Sequence, residues 1–205
     1  MRKMLFFFFT LGLFLLLHES FAHAISLGFV PSSQKVLVGD PVSVDLTISG
    51  LGDLAPPSLS TFDLDVKFNP AILAFILTFN GFFFTEPRFG SSLGDPQSGD
   101  ETLTRVASSV GGVVNLFELS FLGENELDDL QRSSFTLATL TFKTLGVGVS
   151  PLTLSVNALG DAAGNRLVAD VSDGSVTAIP EPSTILLVGS GLAGFLVFRR
   201  KLLVA

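Results

Sequence analysis

Residues 25–178 of this 205-residue chain contain no His, Cys, Trp or Tyr; the chain has no cysteine, and its two histidines are His18 and His23. A Ser-His-Asp or Cys-His nucleophile, a His-ligated or Cys-ligated metal and an imidazole base are therefore excluded from that region. Carboxylate pairs and a Ser-Lys arrangement are the remaining routes to catalysis. Asp63 and Asp65 stand two apart, Glu124, Glu126, Asp128 and Asp129 crowd one short stretch, and 160–165 reads Gly-Asp-Ala-Ala-Gly-Asn. Calcium suits the first two groups, but neither has the Asp-x-Asp-x-Asp-Gly spacing, and the third has Ala where an oxygen ligand is required. They read as solvated charges, so no metal and no cofactor is expected. Glycoside hydrolysis by two carboxylates would need a cleft. The region is read as non-catalytic.

One aromatic group is set apart. Phe82, Phe83 and Phe84 follow Asn80-Gly81, and three consecutive bulky residues cannot all point inward from one strand. They form either a loop packed over the end of the fold or a contact patch for a partner. The other Phe residues of the region chiefly supply core volume.

The elements that position these side chains are strands. Val42, Val44, Leu46 and Ile48 alternate with Ser43, Asp45, Thr47 and Ser49, and Phe62, Leu64, Val66 and Phe68 alternate with Asp63, Asp65 and Lys67. Period two with one wet face marks both as strands and puts Asp63 and Asp65 on one solvent face. Similar patterns run over 25–30, 103–107, 113–121, 138–143, 152–156, 168–171 and 174–177, with Phe142, Leu140 and Ala138 facing inward. Turn chemistry separates them at Gly39-Asp40-Pro41, Asn69-Pro70, Asn80-Gly81, Gly111-Gly112 and Gly164-Asn165. Only 124–132 reads as a helix. These elements predict an all-β antiparallel sandwich of about nine strands, in one domain spanning 25–178. That domain carries seven Lys or Arg against seventeen Asp or Glu, a net of about −10, which disfavours nucleic acid or an anionic membrane as a partner.

Both ends are targeting segments. Arg2 and Lys3 precede an apolar stretch over 4–17, and Ala22-His23-Ala24 supplies small residues for signal peptidase, so 1–24 reads as a signal peptide with Ile25 opening the mature chain. An uncleaved anchor is the alternative. In 179–205, Pro180-Glu181-Pro182 forms a stiff joint, 185–198 is uncharged and apolar, and Arg199-Arg200-Lys201 is cationic. This apolar run is shorter than the usual span of about twenty residues, and snorkelling of Arg199 and Arg200 extends its reach as a single transmembrane helix. The domain is expected outside the inner membrane and the basic end in the cytoplasm. The seven residues 178–184 span at most about 25 Å, which holds the sandwich close to the membrane.

The order Pro-Glu-Pro, short apolar helix, Arg-Arg resembles the PEP-CTERM sorting signal of Gram-negative bacteria. That resemblance implies recognition by the transpeptidase exosortase at Pro180, Glu181, Pro182, Arg199 and Arg200, an inner-membrane transit form, and release to the outer surface or extracellular matrix. The ordered segments 38–44 (Val-Gly-Asp-Pro-Val-Ser-Val), 62–73 (Phe-Asp-Leu-Asp-Val-Lys-Phe-Asn-Pro-Ala-Ile-Leu), 137–143 (Leu-Ala-Thr-Leu-Thr-Phe-Lys) and 173–177 (Asp-Gly-Ser-Val-Thr) resemble the cohesin domain. The resemblance implies a nine-stranded jelly roll that binds a dockerin-like module through one sheet face, and it transfers no individual contact residue. A carbohydrate-binding module beside exopolysaccharide is the alternative, weakened by the absence of Trp and Tyr. A calcium-dependent adhesion protein is the second alternative.

Overall fold

The computed structural model describes residues 24–79, 84–86, 88–94, 103–181 and 190. Alternating side chains build it. In β3 (Pro41–Ser49) Val42, Val44, Leu46 and Ile48 are buried, and in β4 (Leu59–Lys67) Phe62, Leu64 and Val66 are buried, with the polar partners of each pattern outside. The remaining strands are β1 (Ile25–Val30), β2 (Ser33–Leu37), β5 (Leu73–Phe75), β6 (Thr78–Phe79), β7 (Phe84–Glu86), β8 (Arg88–Phe89), β9 (Leu103–Val110), β10 (Val113–Ser120), β11 (Ser134–Thr144), β12 (Gly148–Asp161), β13 (Ala169–Val171) and β14 (Gly174–Ile179). One sheet runs β13-β1-β3-β11-β5, with β8 also on β11; a second runs β2-β14-β12-β4-β10-β9. A small hairpin, β6-β7, stands apart from both.

The two large sheets face each other across one apolar core. Phe142 sits at its centre, edge-on to Phe68 with ring centroids 5.2 Å apart and 5.5 Å from Phe75. Ala138, Leu140 and Phe142 all point inward, as the sequence predicts. At Asn69-Pro70 the chain turns: Ala71 N donates to Asn69 Oδ1 at 3.0 Å, Leu73 N donates to Asn69 O at 2.9 Å, and Leu73 returns fully buried.

The chain ends depart from a purely antiparallel reading. The first strand divides between the sheets as β1 and β2, the last divides as β13 and β14, and the halves pair parallel, β1 with β13 and β2 with β14. Two terminal strands running the same way along one edge leave no other pairing. Counting each divided strand once, and setting aside the short β6, β7 and β8, gives the nine strands of a jelly roll.

The single described helix, α1 (Glu124–Leu130), begins where Gly123 N donates to Glu126 Oε2 at 2.8 Å and buries Leu127. It delivers the buried Gln131, whose amide accepts from Leu59 N at 2.6 Å and donates to Leu59 O at 2.5 Å. A side chain thus replaces a strand neighbour at the start of β4.

Candidate functional site

β4 places Asp63 and Asp65 on the outer face of the second sheet, because its inward positions are occupied by Phe62, Leu64 and Val66. Opposite them on β10 stands Asn115, whose Nδ2 donates to Asp63 Oδ1 at 2.7 Å and to Asp65 Oδ1 at 2.8 Å. Asn157, on the other side, donates from Nδ2 to Asp63 Oδ1 at 3.2 Å from a β-bulge in β12. Two amides therefore pin two carboxylates that would otherwise repel each other across one strand face.

The same face carries an apolar stripe. On β10, Val114, Leu116, Glu118 and Ser120 point inward and are buried, so Val113, Phe117 and Leu119 point outward and are half-buried. Register fixes that phase: Val114 lies opposite Val66, Leu116 opposite Leu64 and Glu118 opposite Phe62, and residues directly opposite share a face. The inner face thereby receives Glu118, which is buried. Most of the described Phe residues do fill the core, with Phe29, Phe62 and Phe142 buried and Phe68, Phe75, Phe89 and Phe135 packed against it; Phe117, turned outward, and Phe121, 62% exposed, are the exceptions.

The outer face of the first sheet is different. Its Ser and Thr side chains bond one another: Ser26 Oγ lies 2.7 Å from Ser49 Oγ, Ser43 Oγ lies 3.1 Å from Thr141 Oγ1, and Thr139 Oγ1 donates to Asp45 Oδ1 at 2.6 Å. Small self-paired polar groups offer little to a partner. The β4-β10-β12 face combines apolar area with fixed acceptors, the composition of a recognition surface.

The other sequence candidates disperse. Glu124, Glu126 and Asp129 are exposed on α1, and the Asp161 carboxylate is held by its own turn, accepting from Asn165 N at 2.7 Å and Asn165 Nδ2 at 3.0 Å. Among the described residues no three His, Cys, Asp or Glu side chains converge on a metal position. Phe82 and Phe83 lie outside the described residues, and Phe84 opens β7 across from Phe79. Ala24 is the first residue of the described domain; Pro180 and Glu181 follow β14 exposed; Ala22, Pro182, Arg199 and Arg200 lie outside the described residues. Among the described residues no helix is long and apolar enough to cross a membrane. Asn115 and Asn157 were not singled out from sequence. The available signal was their type: amide donors at strand positions that pairing could bring beside Asp63 and Asp65.

The family model for the PEP-CTERM protein-sorting motif matches residues 178–201. Solved structures of cohesins share the fold. A chain from a type I cohesin–dockerin complex of Clostridium thermocellum superposes with a TM-score of 0.58 at 16% identity, over 76% of this chain and 99% of that one. The chain carries a PEP-CTERM sorting motif on a cohesin-like sandwich. A type II cohesin from the cellulosome of Acetivibrio cellulolyticus gives 0.56 at 20% identity, covering 75% of this chain and 95% of that one. A non-cellulosomal cohesin from the archaeon Archaeoglobus fulgidus gives 0.52 at 14% identity, covering 76% and 90%. No curated protein sequence matches the chain. The motif implies exosortase processing and export to the cell envelope or surface.

Proposed function

We propose that this chain is a non-catalytic exported protein whose sandwich binds a protein module through the outer face of β12, β4 and β10. The observation that carries the reading is the juxtaposition on that face of the Val113-Phe117-Leu119 stripe with the Asn115-pinned carboxylates of Asp63 and Asp65. An apolar ridge flanked by hydrogen-bond donors on the partner would complement it, and the domain's excess of acidic residues favours donors that are cationic. Fold neighbours that occur in complexes with dockerins make a dockerin-like module the first candidate.

The domain boundaries follow from the same reading. Signal peptidase removes 1–24, residues 25–178 form the binding domain, and 179–205 form a sorting tail whose apolar run enters the inner membrane. Exosortase then cuts near Pro180-Glu181-Pro182 and frees the domain for the outer surface or matrix of a Gram-negative cell.

Affinity capture from the host secretome tests the assignment. Phe117→Lys should abolish capture of the protein retained by wild type. Ser43→Lys, on the outer face of the opposite sheet, should leave it intact. Equal capture by both variants would remove the β4-β10-β12 face from the reading, and binding to glycans alone would favour the carbohydrate-binding alternative.

A further inference from the structure

The end of the sandwich from which the tail departs has its own chemistry. β14 finishes at Ile179, whose carbonyl accepts from Val38 N at 3.0 Å, and Gly148, which follows turn 145–147, lies opposite Ala178. Around this exit four large apolar side chains stand in solvent: Leu145 at 51%, Val147 at 61%, Val149 at 57% and Ile179 at 39% exposure. The three lysines of the domain are exposed and lie in the same half. Lys143 stands next to the end of β11, Lys67 ends β4, and Lys35 pairs opposite Thr177 near the end of β14. Asp40 and Glu181 are their acidic neighbours. At the far end the sign reverses: among the described residues the four acids of α1 with Asp53, Asp161 and Asp170 outnumber the arginines of that half, Arg105, Arg132 and Arg166.

We infer that the tail-proximal end is a membrane-resting face, in which Leu145, Val147, Val149 and Ile179 enter the headgroup boundary of an anionic bilayer while the tail is still attached. The inference rests on the reading of the tail as membrane-inserted. What selects lipid as the occupant is the chain itself. From Ile179 to Ile185, where the apolar run begins, the reach is at most about 20 Å, so this end is held against whatever surface receives the run. Net charge alone disfavours an anionic membrane, but the uneven placement of the charges reverses this locally: exposed aliphatic side chains in the lysine-bearing half bury apolar area at the interface while the ammonium groups meet lipid phosphates. The acidic far end is repelled from the same surface, which fixes orientation: the domain stands upright, with α1 away from the membrane. The contact is lost when the tail is cut.

The absence of cysteine makes single-site labelling direct. Full-length Val147→Cys, Val168→Cys and Leu192→Cys chains, each carrying an environment-sensitive fluorophore, would be reconstituted into phosphatidylethanolamine–phosphatidylglycerol vesicles doped with shallow nitroxide lipid. The Val147 label should be quenched several-fold more strongly than the Val168 label at the far end. Lys143→Glu in the Val147→Cys background should weaken that quenching. Equal quenching at 147 and 168, with the Leu192 label quenched, would overturn this inference and leave the tail reading standing. An unquenched Leu192 label would overturn both. A Val147 label shielded from aqueous iodide but untouched by nitroxide lipid would assign the face to a second copy of the chain and overturn the lipid assignment.

Discussion

Asn115 holds two carboxylates with one amide, each Nδ2 hydrogen serving a different aspartate. Replacing it with Ala leaves Asp63 and Asp65 side by side on one face without their shared donor. Urea unfolding should then show a loss of about 1–2 kcal/mol, partly recovered by salt because the residual repulsion is screened. A loss equal at low and high salt would mean that the amide acts by packing alone. Gln131 makes a harsher case, since its side chain satisfies both the N–H and the carbonyl of buried Leu59. Gln131→Ala orphans both groups, and a loss of about 2–4 kcal/mol is expected in the same assay. Neither role was legible in the sequence. Asp63 and Asp65 are visible as a pair from their spacing, but their amide partners are 52 and 94 positions away from Asp63 and arrive only through strand pairing.

At the scale of elements, β3 and β4 were legible because all their large apolar residues fall on one phase. β10 was legible as a strand over 113–121, but its inward phase was not, because both phases offer apolar residues: Val113, Phe117 and Leu119 on one, Val114 and Leu116 on the other. Its choice is made by the neighbour. The fully buried inner row of Phe62, Leu64 and Val66 on β4 dictates which β10 residues share the core, and this drives Glu118 inside and Phe117 out. Leu116→Ala should therefore destabilise the domain by about 2–5 kcal/mol in urea unfolding, because it leaves a cavity in the core, whereas Phe117→Ala on the outer face should cost much less; equal losses would show that the phase of β10 is not set this way. The parallel closure of the chain ends escaped sequence reading for a related reason. Which strands become neighbours is a non-local outcome, and the division of one strand between two sheets leaves no periodic trace.

At the scale of the molecule, the proposed function gives the face and the tail successive stages: the tail would deliver the domain, and the β4-β10-β12 face would act once the domain is free. Pro180→Ala with Pro182→Ala should leave the melting temperature unchanged, because both positions lie beyond β14, and should accumulate an uncut membrane-bound precursor detectable by intact mass. A mature species of normal mass from that variant would remove the joint from exosortase recognition. The inferred membrane-resting face would give the domain a fixed orientation in transit, although sequence order scatters its charged residues from position 35 to 170. The central claim is that a protein module docks on the outer face of the second sheet. Photo-crosslinking from position 117, with position 43 on the opposite sheet as control, tests it most directly in the mature protein on its own host cells. A discrete protein adduct at 117 and none at 43 is the expected result; adducts at 43 alone, or none at either position, would contradict it.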